Sequence, residues 1–235
     1  AAMYVCGGCM EISPHGMNSD LLFSFLFNTP KALELSITGG RSLVTGKREM
    51  DLSHSLIDFS NFEDLYDWFL FLCNEILTAK FRSLDIIARE MAHCRPGFLI
   101  SSMISDCLER GRSMQDGGAR YHDYGGTPIG LQHVADSLYA IKQAVFVEKY
   151  CSAENLIQSL ENNFMGDDGL YHYLLRIPKY GMDIPEPNQM MDTVLKDITG
   201  IFSSYRTCYN GRVKPMIFNF VWSPSIGNNL GASAD

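Results

Sequence analysis

No run of Lys or Arg occurs in the 235 residues, and 19 basic against 27 acidic side chains leave a formal charge of −8. A phosphate backbone finds no basic footprint here and an anionic bilayer finds no attraction, so neither nucleic acid nor membrane is expected as a partner. Long apolar runs are missing too. The most apolar stretches, Leu21 to Phe27 and Trp68 to Cys73, fall far below the roughly 20 residues that span a bilayer. No phosphate loop is present, because Gly117-Gly118 and Gly125-Gly126 fit neither G-x-x-x-x-G-K-[ST] nor G-x-G-x-x-G. The cysteines are 7, an odd number, and only Cys6 and Cys9 lie close in sequence. Singly scattered thiols suit a reducing cytoplasm rather than a disulfide framework. The opening Ala1-Ala2-Met3 has no basic segment, no apolar signal core and no initiator methionine, which predicts a fragment or processed product without a targeting peptide.

What is present is ordinary globular composition, 46% hydrophobic and 20% charged, enough for one large domain or part of one. Residues from Ser19 to about Thr38 read as helical, with Pro30 marking a break or second start and Gly39-Gly40 the end. Ser60-Asn61-Phe62-Glu63 has the form of a capping box and opens a long helix to about His93, stopped by Pro96-Gly97. Phe98 to Ser101 is a candidate buried strand, followed by a brief helix near Ile104 to Arg110. Gly117 to Tyr121 forms another candidate strand edge, and a glycine-rich turn is expected through Gly126. Helices are predicted over Leu131–Val147, Ala153–Phe164 and Asn188–Tyr205, with a proline-rich loop at Pro178–Pro187. Val213 to Trp222, aromatic and β-branched, reads as a final strand interrupted by Pro215. Short apolar strands between long helices predict an α/β fold with buried, parallel strands.

The chemistry concentrates in Tyr4-Val5-Cys6-Gly7-Gly8-Cys9-Met10-Glu11. On an extended backbone, residues at i and i+2 share a face, so Cys9 and Glu11 would enter one cavity while Met10 points away. Cys6 and Cys9 also form a C-x-x-C. Structural zinc needs about four ligands, and no second pair and no H-x3-5-H spacing supplies them. A thiol exchange site prefers a helix N-terminus, whereas Glu11 and Pro14 follow here. Incidental thiols are an equal reading of the C-x-x-C alone. By the plainest reading, Asp136-Ser137 and Phe218 to Trp222 are a capping pair and a core strand.

Taken together in order, these segments resemble the glycyl radical enzyme family, the relatives of pyruvate formate-lyase. Gly8-Cys9-Met10-Glu11 is similar to the family's Gly-Cys-Val-Glu loop. Asn28 to Leu35 resembles its Pro-Lys-x-Leu-Glu-Leu helix. Gly117-Gly118-Ala119-Arg120-Tyr121-His122, with Asp136-Ser137-Leu138 through Ile141-Lys142, is similar to Gly-Gly-Ala-x-Tyr followed by Ala-Asp-Ser-Leu-x-Ala-Ile-Lys. Lys179-Tyr180-Gly181-Met182-Asp183 resembles Lys-Tyr-Gly-Asn-Asp. Phe218 to Trp222 with Gly231 to Asp235 is similar to the strand before Gly-Ala-Thr-Pro-Asp-Gly-Arg.

The resemblance implies part, the second half, of a ten-stranded α/β barrel with the cysteine loop at residues 4–12. It implies that Cys9 becomes a thiyl that takes a hydrogen atom from substrate carbon and that Glu11 is the base. Glu two positions after the cysteine points to the dehydratases and the C–N or C–S lyases. Formate-lyase chemistry, which uses adjacent cysteines, fits less well, and Ile12 and Met10 depart from the family's usual Pro and Val. No Arg-Val-x-Gly-Tyr segment occurs, so the glycyl radical domain and first half-barrel are expected to lie outside these residues, and the chain alone is expected to be inactive. No cofactor or metal bound to this chain is expected. The implied partners are a small-molecule substrate, an S-adenosylmethionine iron–sulfur activating enzyme that installs the glycyl radical, and a second copy in a cytoplasmic homodimer. The rival readings are a non-catalytic remnant or subunit of the same fold, an acyltransferase or C–C lyase or decarboxylase of the formate-lyase type, and a C-x-x-C redox or metal module.

Overall fold

The computed structural model describes residues 3–7 and 11–217. They fall into two compact units, one containing the described residues up to 27, then 74–128 and those from 199 on, the other containing 28–73 and 129–198. Strand β1 is Tyr4–Gly7, β2 Glu11–Pro14 and β3 Phe25–Asn28, followed by helix α1, Thr29–Thr38. Helix α2 runs over Phe62–Cys94, with short turns α3, Phe98–Ser101, and α4, Cys107–Arg110. Then come β4, Tyr124–Ile129, and α5, Leu131–Ile141, which continues as a π-helical segment over Lys142–Val147. Helices α6, Ala153–Glu161, α7, Asp168–Arg176, and α8, Pro185–Ser204, precede β5, Val213–Pro215. The chain is α/β, as expected, and rich in helix. Among the described residues no helix is long and apolar enough to cross a membrane.

In the first unit β4 lies between β3 and β5, and β4 and β5 are parallel, pairing Tyr124 with Val213 and Gly126 with Pro215. Every residue of β4 is buried. The expected glycine-rich turn through Gly126 is therefore a strand, and the reason is space. A Cβ on Gly125 would lie 1.6 Å from the Leu22 carbonyl oxygen, and one on Gly126 2.2 Å from the Phe25 ring. Those glycines permit close approach rather than chain reversal. Phe25 stacks on Phe202 and meets Phe81 edge-on, both at 5.8 Å between centroids, and Phe81 meets Phe202 at 5.7 Å. Such a trio combines a large buried apolar area with favourable ring geometry.

Residues 98–101 are a helical turn, not a buried strand. Ser101 N donates to Gly97 O at 2.8 Å, and Phe98, Leu99 and Ile100 are all exposed, so no sheet among the described residues takes up their apolar side chains. Residues 19–24 are not helical either, and helix α1 starts only at Thr29. Asn28 accepts from Lys31 N, Pro30 occupies the first turn, and Gly39 ends the helix at φ +66°. This is the second start that Pro30 marks in the sequence.

The apolar stripe of α2 explains its length. Leu65, Phe69, Leu72 and Cys73 in the second unit, and Leu77, Phe81, Leu84 and Ala88 in the first, are all buried at helical spacing. Its cap is one residue later than the sequence pattern implies. Asn61 Oδ1 accepts from Asp64 N at 2.8 Å and Asn61 Nδ2 donates to Asp64 Oδ2 at 2.7 Å.

In the second unit α1 packs on α5, where a Cβ on Gly130 would meet Pro30 Cγ at 2.5 Å. Buried Glu34 accepts from Lys31 Nζ at 2.6 Å and from Leu43 N at 2.8 Å, tying the following loop to the helix. Helix α7 has no counterpart in the sequence reading, and α8 begins inside the expected proline-rich loop, with Pro185 in its first turn. The C-terminal strand ends at Pro215, and Met216 and Ile217 are not part of it; the rest of the expected strand, from Phe218 to Trp222, lies outside the described residues.

Candidate active site

Strands β1 and β2 form an antiparallel hairpin that pairs Tyr4 with Pro14, Val5 with Ser13, Cys6 with Ile12 and Gly7 with Glu11. Gly7 ends β1 opposite Glu11, the first residue of β2. Directly paired residues share a face, so Glu11 lies with Gly7 on one side and Cys6 with Ile12 on the other. Cys6 and Ile12 are exposed, whereas Glu11 is half-buried and Ser13 is buried. Cys9 lies outside the described residues. Among the described residues no group of three or more His, Cys, Asp or Glu is placed to hold a metal ion.

The root of this hairpin is fastened by the glycine motif. His15 N donates to Met3 O at 2.8 Å and extends the ladder, then Ser105 N donates to Gly16 O at 2.7 Å. Tyr121 N donates to Met17 O at 3.0 Å, and Ser19 N donates back to Tyr121 O at 3.0 Å. Asp123 N reaches Asn18 Oδ1 at 3.3 Å. Arg120 forks onto Asp106, with Nη2 at 2.6 Å and Nε at 3.1 Å from Oδ1. The hydrogen bond from Arg120, with its charge and that of Arg110 adding to it, holds the Asp106 carboxyl below its usual range. Gly118 is required here because a Cβ would sit 2.1 Å from Arg112 O. His122 is buried and its Nε2 meets Ala119 O at 3.0 Å. A carbonyl only accepts, so Nε2 carries the proton, and burial pulls this imidazole below the ordinary histidine value.

The second unit binds two further motif segments to each other. Asp136 Oδ1 accepts from Tyr180 N at 2.7 Å, and Asn188 Oδ1 accepts from Gly181 N at 3.0 Å. Lys179 Nζ donates to the carbonyls of Leu174 at 2.9 Å and Ile177 at 2.8 Å, and burial lowers its pKa. Asp136 thus anchors the Lys179–Asp183 turn rather than merely facing solvent or capping its own helix. A groove of about 450 Å³ in the same unit is lined by Phe62, Tyr66, Tyr139, Lys142 and Glu186 among others.

One polar cluster has no counterpart in the sequence reading. Asp85, between buried Leu84 and Ala88 on α2, accepts from Tyr124 Oη, Tyr205 Oη and Cys208 N, each at 2.8 Å. Its sequence signal is a carboxylate set into an otherwise apolar helical stripe, which calls for buried donors from elsewhere in the chain.

Residues 1–223 match the family model described as pyruvate formate lyase-like. The chain is 27% identical, over 99% of its own length and 28% of the relative's, to (2S)-3-sulfopropanediol dehydratase from Klebsiella oxytoca. Among solved structures it resembles the glycerol-bound B12-independent glycerol dehydratase from Clostridium butyricum at TM-score 0.84 and 25% identity, covering 90% of this chain and 27% of that one. A glycyl radical enzyme from Archaeoglobus fulgidus is similar at TM-score 0.79 and 27% identity, over 90% of this chain and 27% of that one. The chain therefore spans about a quarter of the length of the proteins it matches.

Proposed function

This chain belongs to the pyruvate formate lyase-like family and has the α/β fold of part of a glycyl radical enzyme, and from that premise we propose that it is the cysteine-bearing part of a radical dehydratase or lyase. The observation that carries the reading is the hairpin, which sets half-buried Glu11 at the first position of β2, two residues from Cys9 and on the face opposite the exposed Cys6. The dehydratase relatives support elimination over acyl transfer.

The substrate is a small molecule with a hydroxyl next to a leaving group. The Cys9 thiyl takes hydrogen from the hydroxyl-bearing carbon, so that a C–H bond breaks and an S–H bond forms. Glu11 accepts the hydroxyl proton as the C–O, C–N or C–S bond to the neighbouring leaving group breaks, that proton passing on to a departing hydroxyl to make water, and Cys9 then returns its hydrogen to the product. Hydrogen-atom chemistry needs a neutral thiol rather than a thiolate. A glycyl radical outside the described residues, installed by an S-adenosylmethionine iron–sulfur activating enzyme, supplies the oxidation of the Cys9 thiol. The whole protein acts as a cytoplasmic homodimer.

In the whole enzyme, Cys9→Ala and Glu11→Gln are each expected to abolish turnover while the activated glycyl signal persists in electron paramagnetic resonance. Retained turnover in either variant overturns the assignment. Reversible disulfide formation between Cys6 and Cys9, or stoichiometric zinc lost in Cys9→Ala, would instead favour a redox or metal module.

A further inference from the structure

The groove of about 450 Å³ in the second unit takes its walls from the first turns of α2 and α8 and from the end of α5. Its volume falls within the roughly 300–1,000 Å³ of small-molecule sites. One wall is aromatic, with Phe62 stacked on Tyr66 at 6.1 Å between centroids. Lys142 Nζ lies over the Phe62 ring, 4.9 Å from its centroid. Glu186 lines the groove from the first turn of α8. Among the described residues neither Lys142 nor Glu186 is in an ion pair.

The wall that carries Lys142 departs from α-helical geometry. Residues Lys142–Val147 are π-helical, and Glu148 N donates to Gln143 O at 2.8 Å, a five-residue step. Such segments are rare and occur frequently at functional sites. A glutamate in the first turn of a helix is explained by the helix dipole alone. That explanation does not reach a π-helical wall, nor a lysine without a counter-ion in the same groove.

We propose that this groove binds a zwitterion, an α-amino acid with an apolar or aromatic side chain, its carboxylate on Lys142 and its ammonium on Glu186. A simple anion would meet Glu186 and a simple cation would meet Lys142, whereas a ligand with both charges answers both. Phe62, Tyr66 and Met190 offer the apolar contact for its side chain. Burial, and then the charges of Glu186 and Glu148, hold the Tyr139 phenol above its ordinary value, so it lines the groove as a protonated donor. The proposal uses neither Cys9 nor Glu11.

The test is isothermal titration calorimetry of the whole protein with L-phenylalanine, L-leucine, 3-phenylpropionate, which lacks the ammonium, and 2-phenylethylamine, which lacks the carboxylate. Both amino acids are expected to bind saturably, and L-phenylalanine about tenfold more tightly than either aromatic analogue, as one charged contact each would give. In Lys142→Met, L-phenylalanine should fall to the affinity of 2-phenylethylamine; in Glu186→Gln, to that of 3-phenylpropionate. Each comparison is made within one variant, so a change in its stability does not mimic the result. Cys9→Ala, which stops the proposed turnover, should leave L-phenylalanine affinity unchanged, which separates failure of this site from failure of the reaction. Absence of saturable amino-acid binding, equal affinity for L-phenylalanine and both analogues, unaltered discrimination in Lys142→Met and Glu186→Gln, or loss of binding in Cys9→Ala overturns the proposal.

Discussion

His122 sits in the motif that fastens the hairpin root, and its titration gives that role a measurable consequence. Its folded-state pKa is depressed by burial from an unfolded value near 6.5. Below about pH 6.5 the unfolded chain therefore takes up a proton that the folded chain resists, and stability falls with pH across that window. Replacing His122 by Gln keeps a donor for Ala119 O but removes the titration. Urea midpoints compared at pH 7 and pH 5 should show a smaller acid loss in His122→Gln than in the wild type; an equal loss in both would contradict this assignment. His122 and Asp85 also mark the limit of reading single residues from sequence. A histidine and an aspartate look alike in a loop, in a helix or in a core until their partners are known, and Ala119 O, Tyr124 and Tyr205 come from positions that sequence order alone does not bring together.

At the scale of elements, end chemistry was more legible than strand placement. Asn28, Pro30 and Gly39 bound α1 with short-range signals, and α2 keeps its apolar spacing from Leu65 to Ala88. The cap of α2 distinguishes two readings by experiment. Asn61→Ala should cost about 1 kcal/mol, because Asp64 N loses its acceptor, whereas Ser60→Ala should stay within about 0.5 kcal/mol. Chemical denaturation of both variants checks this, and a larger cost for Ser60→Ala would restore the capping box at Ser60. The strands behaved differently. Gly125-Gly126 carries turn residues yet lies in the middle of a buried strand, and Phe98-Leu99-Ile100 carries strand residues yet forms an exposed turn. In both cases the outcome depends on what lies opposite: Leu22 and Phe25 press on the glycines, while among the described residues no strand pairs with residues 98–100.

For the whole molecule, the chain matches its relatives over about a quarter of their length, and its 235 residues contain no Arg-Val-x-Gly-Tyr segment. Residues 1–235 purified anaerobically by themselves are accordingly expected to show no turnover of diol or sulfonate substrates; sustained turnover without an added radical donor would refute the proposed division of labour. Family membership was legible from sequence because ordered motifs such as Pro30 to Leu35 and Gly117 to His122 survive as strings. The motifs' roles were not, since Tyr121 acts by pairing its backbone with Met17 and Ser19, and Asp136 by holding Tyr180 N. The sequence by itself determined the α/β class, the caps and apolar faces of the long helices, and the thiol and carboxylate two positions apart, because each rests on interactions within a few residues. Only the tertiary structure decided that two glycines line a buried strand and that a carboxylate of α2 collects Tyr124, Tyr205 and Cys208, because those outcomes depend on contacts between residues far apart in the chain, which local patterning does not encode.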